Sequence, residues 1–192
     1  MEQTELPEWA KEFQSMRPRL ERIVTFRMDR NVAQRLDPSD VIQESFFEIE
    51  RRLEEYHRDP TVPFFVWVRQ RVLQTMIDMQ RGHWRDKRSV GREQDMDGTN
   101  NQGSTSMSIV HWMMDDMTSP SQAAIKHEEV EQLQRSLDQM SETDREILAM
   151  RHFEHLSNAE VAQVLAISPT AASNRYIRAA ARLAELLKRY TT

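Results

Sequence analysis

Apolar residues recur along this chain with helical spacing, and runs of alternating β-branched residues do not occur. Caps, prolines and polar breaks predict helices that begin near residues 8, 37, 64, 119, 141, 157 and 168. The first helix is expected to reach Arg30 and to be kinked or split at Pro18. The second is expected to end near Tyr56, ahead of a loop over residues 56–63, and the third near Arg88. The pattern therefore predicts an all-α protein.

A polar segment separates the predicted helices into two groups. Residues 89–108 are rich in Gly, Asn, Ser and Asp, and we interpret residues 89–118 as a flexible linker. A flexible stretch of this length spans on the order of 25–35 Å. Two small helical domains are predicted on either side, at residues 5–88 and 119–190. Within the linker, the apolar patch Ile109–Met114 docks either on one domain or on a partner, and the sequence leaves both open.

The last part of the chain has the pattern of a helix-turn-helix. Ser157–Glu160 is a capping box, in which the Ser hydroxyl accepts a backbone N–H and Glu reaches back. Ala166–Ile167 is predicted to form the turn. Ser168–Pro169 then begins a second helix, with Ser as N-cap and Pro at the first helical position.

That second helix is basic along one face. Arg175, Arg178 and Arg182 follow i, i+3, i+7 spacing, which places their guanidinium groups on one side. Such a helix fits the major groove of DNA, where Arg binds a guanine edge or a phosphate. The alternative is an ordinary surface helix with solvated Arg side chains.

Charge is distributed unevenly. The chain carries a net charge of -5. Residues 61–92 hold seven Lys/Arg against two Asp/Glu, and residues 161–192 hold five against one. By contrast, residues 1–60 are net -4 and residues 93–160 are net -10. Because salt screens charge over roughly 8–10 Å, local density decides phosphate binding, and the two basic segments predict two contacts with one nucleic acid.

Composition excludes several classes of protein. The absence of Cys removes disulfides and thiolate metal sites. The acidic N-terminus is unlike a signal peptide, and the longest strictly apolar run, Phe64–Val68, is too short to span a bilayer. We therefore expect a soluble, cytoplasmic protein without membrane contact.

Catalytic and metal motifs are also missing. His127–Glu128 does not continue into the zinc motif, because residue 131 is Glu, and no further ligand pattern accompanies His152 and His155. Neither a phosphate-binding Gly loop nor a nucleophile elbow occurs. The sequence predicts no catalytic residue, no metal and no cofactor.

Three segments together resemble bacterial RNA polymerase sigma factors of the extracytoplasmic-function (ECF) group of the sigma-70 family. Asp37–Phe46 is similar to the region-two signature, with an acidic cap, Asp, two aliphatic residues, Gln-Glu and an aromatic. Phe64–Arg88 is similar to the helix that follows it, with Trp67, Asp78 and Arg81 in register. Leu137–Leu187 resembles region four. The resemblance implies a promoter-specificity factor, monomeric when free, that binds core polymerase and promoter DNA.

The resemblance also implies site residues. The docking face for the β′ clamp helices of polymerase would consist of Asp40, Gln43, Glu44 and Phe47. Contacts with the minus-ten element would come from the loop residues Tyr56, His57 and Arg58, which would capture a flipped base, and from Arg81, Trp84, Arg85 and Arg88. Contacts with the minus-thirty-five element would come from Ser168, Thr170, Ser173, Asn174, Arg175 and Arg178. The resemblance implies the β flap as the second contact with polymerase. It leaves open whether an anti-sigma protein is a further partner.

Some positions depart from the family or carry a second interpretation. Ala171 and Ser173 stand where the family often has Thr and Lys, which removes one phosphate contact. Arg71 stands where an aliphatic is usual, and we expect its head group to reach solvent. Trp67 has apolar neighbours and is predicted to lie in the core, and Tyr56 is an alternative cap on that core. A helix-turn-helix regulator acting without polymerase would explain the C-terminal half but gives Asp40, Gln43 and Glu44 no role.

Overall fold

The chain forms two helical units, Met1–Asp95 and Met96–Thr192. The computed structural model describes residues 6–28, 33, 35–88, 105–106, 108–110 and 123–189, with side chains throughout except at 83–88 and 123–127. Within these residues every regular element is helical, as the apolar spacing predicts. The elements of the first unit are α1 (Glu8–Arg27), α2 (Pro38–Arg58) and α3 (Phe64–Arg88). Those of the second are α4 (Ala123–Asp138), α5 (Glu142–His152), α6 (Asn158–Val164) and α7 (Pro169–Lys188).

The first unit is a three-helix bundle in which α1 contacts both α2 and α3, and these two pack on each other. Its centre is made of aliphatic and aromatic side chains that are almost fully buried, at Phe13, Leu20, Ile23, Val24, Val41, Ile42, Ile49, Val66, Val68 and Val72. These positions recur every three to four residues, so each helix turns one apolar stripe inward. Truncation of one such side chain to Ala typically costs about 2–5 kcal/mol.

Two boundaries in the first unit differ from the prediction. Helix α1 runs unbroken through Pro18 and ends at Arg27, so the expected split at Pro18 is wrong. Helix α2 continues to Arg58, which places Tyr56, His57 and Arg58 in its last turn and not in a loop. The loop begins after them, at Asp59, and Pro63 lies just ahead of α3.

The start of α2 follows the predicted cap. The Asp37 carboxylate accepts a hydrogen bond of 2.7 Å from the Ser39 backbone N–H, and Pro38 occupies the first turn. Hydrogen bonding to Ser39 lowers the pKa of the Asp37 carboxyl, because the bond favours its charged form. The local signal of acid followed by proline is therefore enough to begin the helix.

The second unit is built around α7, which packs against α4, α5 and α6. Its core holds Leu137, Ile147, Met150, Leu156, Val161 and Leu186. Arg145 is buried here, and its guanidinium donates to the Leu137 carbonyl (3.0 Å) and the Met140 carbonyl (3.2 Å). The Leu137 carbonyl lies in the last turn of α4 and the Met140 carbonyl in the turn that follows, so Arg145 ties the end of α4 to α5.

Part of the segment predicted as a flexible linker is helical and buried. Residues 105–106 and 108–110 are helical, and Thr105, Ser106, Ile109 and Val110 are buried against the second unit. The interpretation as a flexible linker is therefore wrong at these residues, because Ile109 and Val110 remove apolar surface from water by packing. The rest of the patch, residues 111–114, lies outside the described residues.

Candidate nucleic-acid and protein interfaces

Helices α6 and α7 meet in a tight helix-turn-helix. The Ile167 N–H donates to the Ala162 carbonyl (2.9 Å) and the Ala166 N–H to the Gln163 carbonyl (3.2 Å), the bond pair that closes a helix with a left-handed residue. Ala166 has that left-handed backbone, with φ 51°. The Asn158 amide donates to the Pro169 carbonyl (2.8 Å) and so connects the first turns of both helices. The turn predicted at Ala166–Ile167 is confirmed.

Both helix starts carry the predicted caps. The Ser157 hydroxyl accepts from the Glu160 N–H (3.2 Å), and the Glu160 carboxylate accepts from the Ser157 N–H (2.7 Å). The Ser168 hydroxyl accepts from the Ala171 N–H (3.1 Å). Ser168, a predicted DNA contact, thus uses its acceptor to begin α7, which leaves its hydroxyl proton for another acceptor.

Helix α7 buries one stripe and exposes the opposite one. Ala172, Ala179 and Leu186 are fully buried, seven residues apart. Among the exposed residues of the first four turns, the larger side chains belong to Thr170, Asn174, Ile177, Arg178 and Arg182. This is the face that could enter a DNA groove, because none of these side chains is covered by the unit's own helices.

The predicted Arg stripe is only partly on that face. Arg178 and Arg182 are exposed, whereas Arg175 and Ser173 are half-buried at its edge. The Arg178 Nε–H donates to the Asn174 carbonyl (3.4 Å), and Arg182 lies 3.6 Å from the Glu185 carboxylate. Exposed pairs of this kind contribute little, so these guanidinium groups can exchange partners for phosphates or bases.

Sequence reasoning missed Ile177. It is 59% exposed, at the centre of the polar face between Asn174 and Arg178. An exposed aliphatic side chain on a groove-binding helix can contact the methyl group of thymine. The available signal was its position two residues after Arg175 and one before Arg178, which places it away from the buried Ala stripe.

Tyr56 lies in an aromatic cluster at the end of α2. Its ring centroid is 4.8 Å from that of Trp67 and 5.5 Å from that of Phe64, and its hydroxyl donates to the Val62 carbonyl (3.0 Å). Burial, and secondarily the charge of Glu12, raise the pKa of the Tyr56 phenol. Tyr56 and Trp67 are both half-buried, so Trp67 is only partly in the core. His57 and Arg58 are exposed beside this cluster.

The remaining predicted contacts of the first unit fall on α3. Arg81 is exposed, whereas the side chains of Trp84, Arg85 and Arg88 lie outside the described residues. Arg71 is half-buried, and its Nε has no hydrogen-bond partner. It lines a polar groove of about 390 Å³ together with Glu44, Glu48, Arg52 and Asp78.

A second candidate surface lies on α2. Asp40, Gln43, Glu44 and Phe47 follow i, i+3, i+4, i+7 spacing and are all exposed, on the side opposite Ile42 and Ile49. Phe47 is 46% exposed, while the neighbouring Phe46 turns toward α1 and stacks on Trp9 at 4.9 Å. Arg51 lies 3.8 Å from Glu44 and also pairs with Glu48. The face therefore combines carboxylates, an amide and one aromatic anchor.

The described residues meet neither the requirements of a metal site nor those of a membrane-spanning helix. No group of three or more metal-ligating side chains occurs among the described residues. The His152 ring nitrogen is 3.1 Å from the Tyr176 hydroxyl, which connects α5 to α7. None of the described helices is long and apolar enough to cross a membrane.

The helix-turn-helix and the helices around it match a known family. Residues 130–183 match the family model described as Sigma-70, region 4. Over these residues the chain is similar to region 4 of the sigma-70 family. The matched residues lie within the second unit and include all of α5 and α6.

Two solved structures are similar to this chain over most of its length. CnrH, in complex with the cytosolic domain of CnrY, is 20% identical with a TM-score of 0.48, covering 94% of this chain and 88% of CnrH. The sigma factor RpoE of Bartonella quintana, in complex with the anti-sigma factor NepR, is 15% identical with a TM-score of 0.47. The match covers 95% of this chain and 98% of RpoE. None of the curated proteins matches the chain.

Proposed function

We propose that this protein is a sigma factor of the extracytoplasmic-function group, which binds core RNA polymerase through both units and directs it to a promoter. The second unit binds the minus-thirty-five element. The first unit docks on the β′ clamp helices and captures an unstacked base of the minus-ten element. The sigma factor then leaves, and polymerase carries out the chemistry.

The observation that carries this proposal is the exposed face of α7 within a region-four match. Asn174, Ile177 and Arg178 are uncovered on a helix whose turn and caps hold it rigidly against α6. Base edges in the major groove offer acceptors for Arg and both donors and acceptors for Asn. Thr170 and Arg182 extend this face at its two ends and suit phosphate contacts.

The acidic face of α2 supports docking on polymerase. Asp40 and Glu44 offer charge complementarity to a basic coiled coil, and the exposed Phe47 offers an apolar anchor. Anchors of this kind, surrounded by polar side chains, carry most of the energy of many interfaces. The exposed pair between Glu44 and Arg51 is weak enough to yield to a partner cation.

The end of α2 supports capture of an unstacked base. Flipping a base costs a few kcal/mol, which stacking and polar contacts must offset. His57 and Arg58 are exposed next to the Tyr56–Trp67 cluster, so a base would meet an aromatic surface and a cation together. Arg81 lies on α3, about 20 Å along the helix from Trp67, in a position suited to the phosphate backbone.

The second unit also offers a site for the β flap. An apolar groove of about 460 Å³ lies between α4, α5 and α7, with Leu133, Leu137, Leu183 and Leu187 among its walls. A groove of this composition suits the apolar side of a partner helix. An anti-sigma protein would use the same kinds of surface if this chain has one.

Run-off transcription with purified core polymerase on a promoter library tests the proposal. The native chain is expected to select promoters with two conserved elements. Asp40→Lys should abolish both association with core in a native gel and transcription, because it reverses a charge in the docking face. Glu55→Lys is the matched control for association with core in the native gel, since Glu55 is also exposed on α2 but lies about 22 Å along the helix from Asp40.

Arg178→Ala separates the two interfaces. It should keep association with core and weaken recognition of the upstream element, because Arg178 lies in the second unit on the exposed face of α7. Promoter binding without any association with core would contradict the sigma-factor proposal and support the helix-turn-helix regulator.

A further inference from the structure

The docking face of α2 continues onto α1 through three aromatic side chains. The Phe47 ring, on that face, lies edge-on to the Phe46 ring, with their centroids 6.0 Å apart. The Phe46 ring in turn stacks on the Trp9 ring of α1, with 4.9 Å between centroids and an interplanar angle of 28°. We call these three side chains, Trp9, Phe46 and Phe47, the aromatic row. It joins the two helices as one continuous aromatic surface.

The core of the first unit holds the aromatic row in place. Phe13, which is 1% exposed, meets the Phe46 ring edge-on, with 5.3 Å between centroids. Phe46 and Trp9 are half-buried, and Phe47 is 46% exposed. Exposure therefore increases in steps from the core to the surface. Rings held in this way lose little conformational entropy when a partner covers them, which favours their use as anchors.

The docking face of α2 is by itself small for a specific interface. Asp40 and Phe47 mark its two ends, so the face is only about 10 Å long on a helix about 10 Å wide. Specific interfaces bury about 800 Å² on each partner. A partner that forms such an interface with this unit must also cover a helix beside α2, which is either α1 or α3.

The side chains beside the docking face favour α1. Toward α3, the face borders the polar groove, whose walls carry Glu44, Glu48, Arg52, Arg71 and Asp78. Covering these charged groups would require the removal of water from each of them. Toward α1, the face borders the aromatic row, whose burial removes apolar surface from water. Aromatic anchors of this kind, Trp above all, carry much of the energy of many interfaces.

Carboxylates outnumber cations around the aromatic row. At the start of α1, the exposed Glu8 and Glu12 outnumber the exposed Lys11. On α2, Asp40 and Glu44 are exposed. An apolar centre with an acidic rim fits a protein surface that presents apolar side chains among basic ones. It does not fit a phosphate backbone, which the carboxylates would repel.

We propose that the aromatic row is the apolar centre of the polymerase docking surface, and that the partner covers Trp9 of α1 together with Phe47 of α2. The inference rests on the proposed function, since it concerns the same docking of the first unit on a basic coiled coil. It assigns Trp9 as a binding residue and widens the contact from one helix to two. The partner surface that fits is helical, with an apolar side chain over the row and basic side chains over its rim.

Hydroxyl-radical footprinting, read by mass spectrometry, tests this contact in the native chain. The full chain is oxidised alone and in complex with core polymerase, in the absence of DNA. The reactivity of Trp9 and Phe47 should fall several-fold in the complex, because the partner covers both side chains. Trp67 is the matched control, since it is another half-buried Trp of the same unit and lies in the cluster at the end of α2. Its reactivity should stay as in the free chain.

Trp9→Ala measures what this side chain contributes to affinity. Fluorescence anisotropy of the labelled full chain should give a Kd for core that is higher by about tenfold or more, because the variant lacks a central anchor. Leu73→Ala is the matched control, since Leu73 is half-buried on α3 and its truncation leaves the aromatic row intact. Its Kd should equal that of the native chain. Urea titration shows whether each variant is folded, and the footprint of the native chain decides if Trp9→Ala is not.

Two results would overturn the inference. One is a fall in Phe47 reactivity while Trp9 stays as reactive as in the free chain, which would mean that the partner extends toward α3. The other is a native Kd for core in a folded Trp9→Ala protein. Absence of any association between the native chain and core would instead overturn the docking in the proposed function, and this inference with it.

Discussion

Ala166 occupies the backbone position in the helix-turn-helix that is least suited to its side chain. Its φ of 51° lies in the left-handed region, which costs a residue with a Cβ roughly 1–2 kcal/mol. The two hydrogen bonds at the end of α6 require this conformation, so the neighbouring residues hold Ala166 in it. Glycine is the usual residue at such a position.

Ala166→Gly is therefore expected to stabilise the protein. Relief of the left-handed strain exceeds the extra entropy that Gly gives the unfolded chain, so the free energy of unfolding should rise by about 0.5–1 kcal/mol. Urea titration of the full chain measures this change. Ala181→Gly is the control, since Ala181 is exposed inside α7 and its replacement should destabilise by about 1 kcal/mol. A loss of stability in Ala166→Gly would show that the turn is unstrained.

Single residues also mark the limit of sequence reasoning. The caps at Ser157 and Ser168 are confirmed because each depends on a side chain and a backbone N–H only three residues away. The role of Arg145 was missed, because its partners are carbonyls five and eight residues back, in the following turn and the last turn of α4. No periodicity in the sequence distinguishes this buried Arg from a solvated one.

At the scale of the element, α7 is the helix that would carry the specificity of the second unit in the proposed function. The stripe of Ala172, Ala179 and Leu186 packs inward and orients the helix, so that Asn174, Ile177 and Arg178 face outward together. Half-burial moves Arg175 away from the centre of this face. Ile177 takes that centre and, in the proposed complex, would read thymine methyl groups.

Ile177→Ala should weaken transcription from promoters with a thymine in the upstream element, and leave stability within about 0.5 kcal/mol because the side chain is exposed. The expected loss is about tenfold or less, the scale of one base contact. Replacing each thymine of that element by uracil removes the methyl group. This change in the DNA is the second substitution of a double-mutant cycle with Ile177→Ala. The uracil effect should disappear in the Ile177→Ala protein, and an unchanged uracil effect would exclude the contact.

The sequence anticipated elements better than their ends. Apolar spacing placed α2 and α3, but the predicted loop at Tyr56 is the last turn of α2. Packing of the Tyr56 ring on Trp67 and the bond from its hydroxyl to Val62 accompany that extra turn. Both partners lie beyond the helix, where local propensity gives no information.

At the scale of the whole molecule, we expect the negative net charge and the division into two units to limit DNA binding by the free protein. The chain is net -5, with its positive charge concentrated in two segments. A single short helix in the groove makes few contacts, and the acidic remainder repels phosphates. Promoter binding should then depend on core polymerase, which brings both units to the DNA together.

The isolated protein is expected to bind a promoter duplex with a Kd in the micromolar range or weaker at physiological salt, and more tightly as salt is lowered. Fluorescence anisotropy with labelled duplex measures this affinity, with and without core. Addition of core should lower the Kd by at least about a hundredfold. A nanomolar, sequence-specific Kd without core would contradict this expectation and favour the regulator.

The sequence by itself determined the all-α class, the starts of α1, α2, α3, α5, α6 and α7, the helix-turn-helix and the two basic segments. These follow from signals that act over a few residues: a cap, a proline, an apolar repeat or a run of charge. Only the tertiary structure decided that Arg175 is half-buried and that residues 105–106 and 108–110 dock on the second unit. Burial depends on which residues from distant parts of the sequence pack together. Ile109, Leu137 and Leu148 line one apolar groove, and no local pattern in the sequence contains that information.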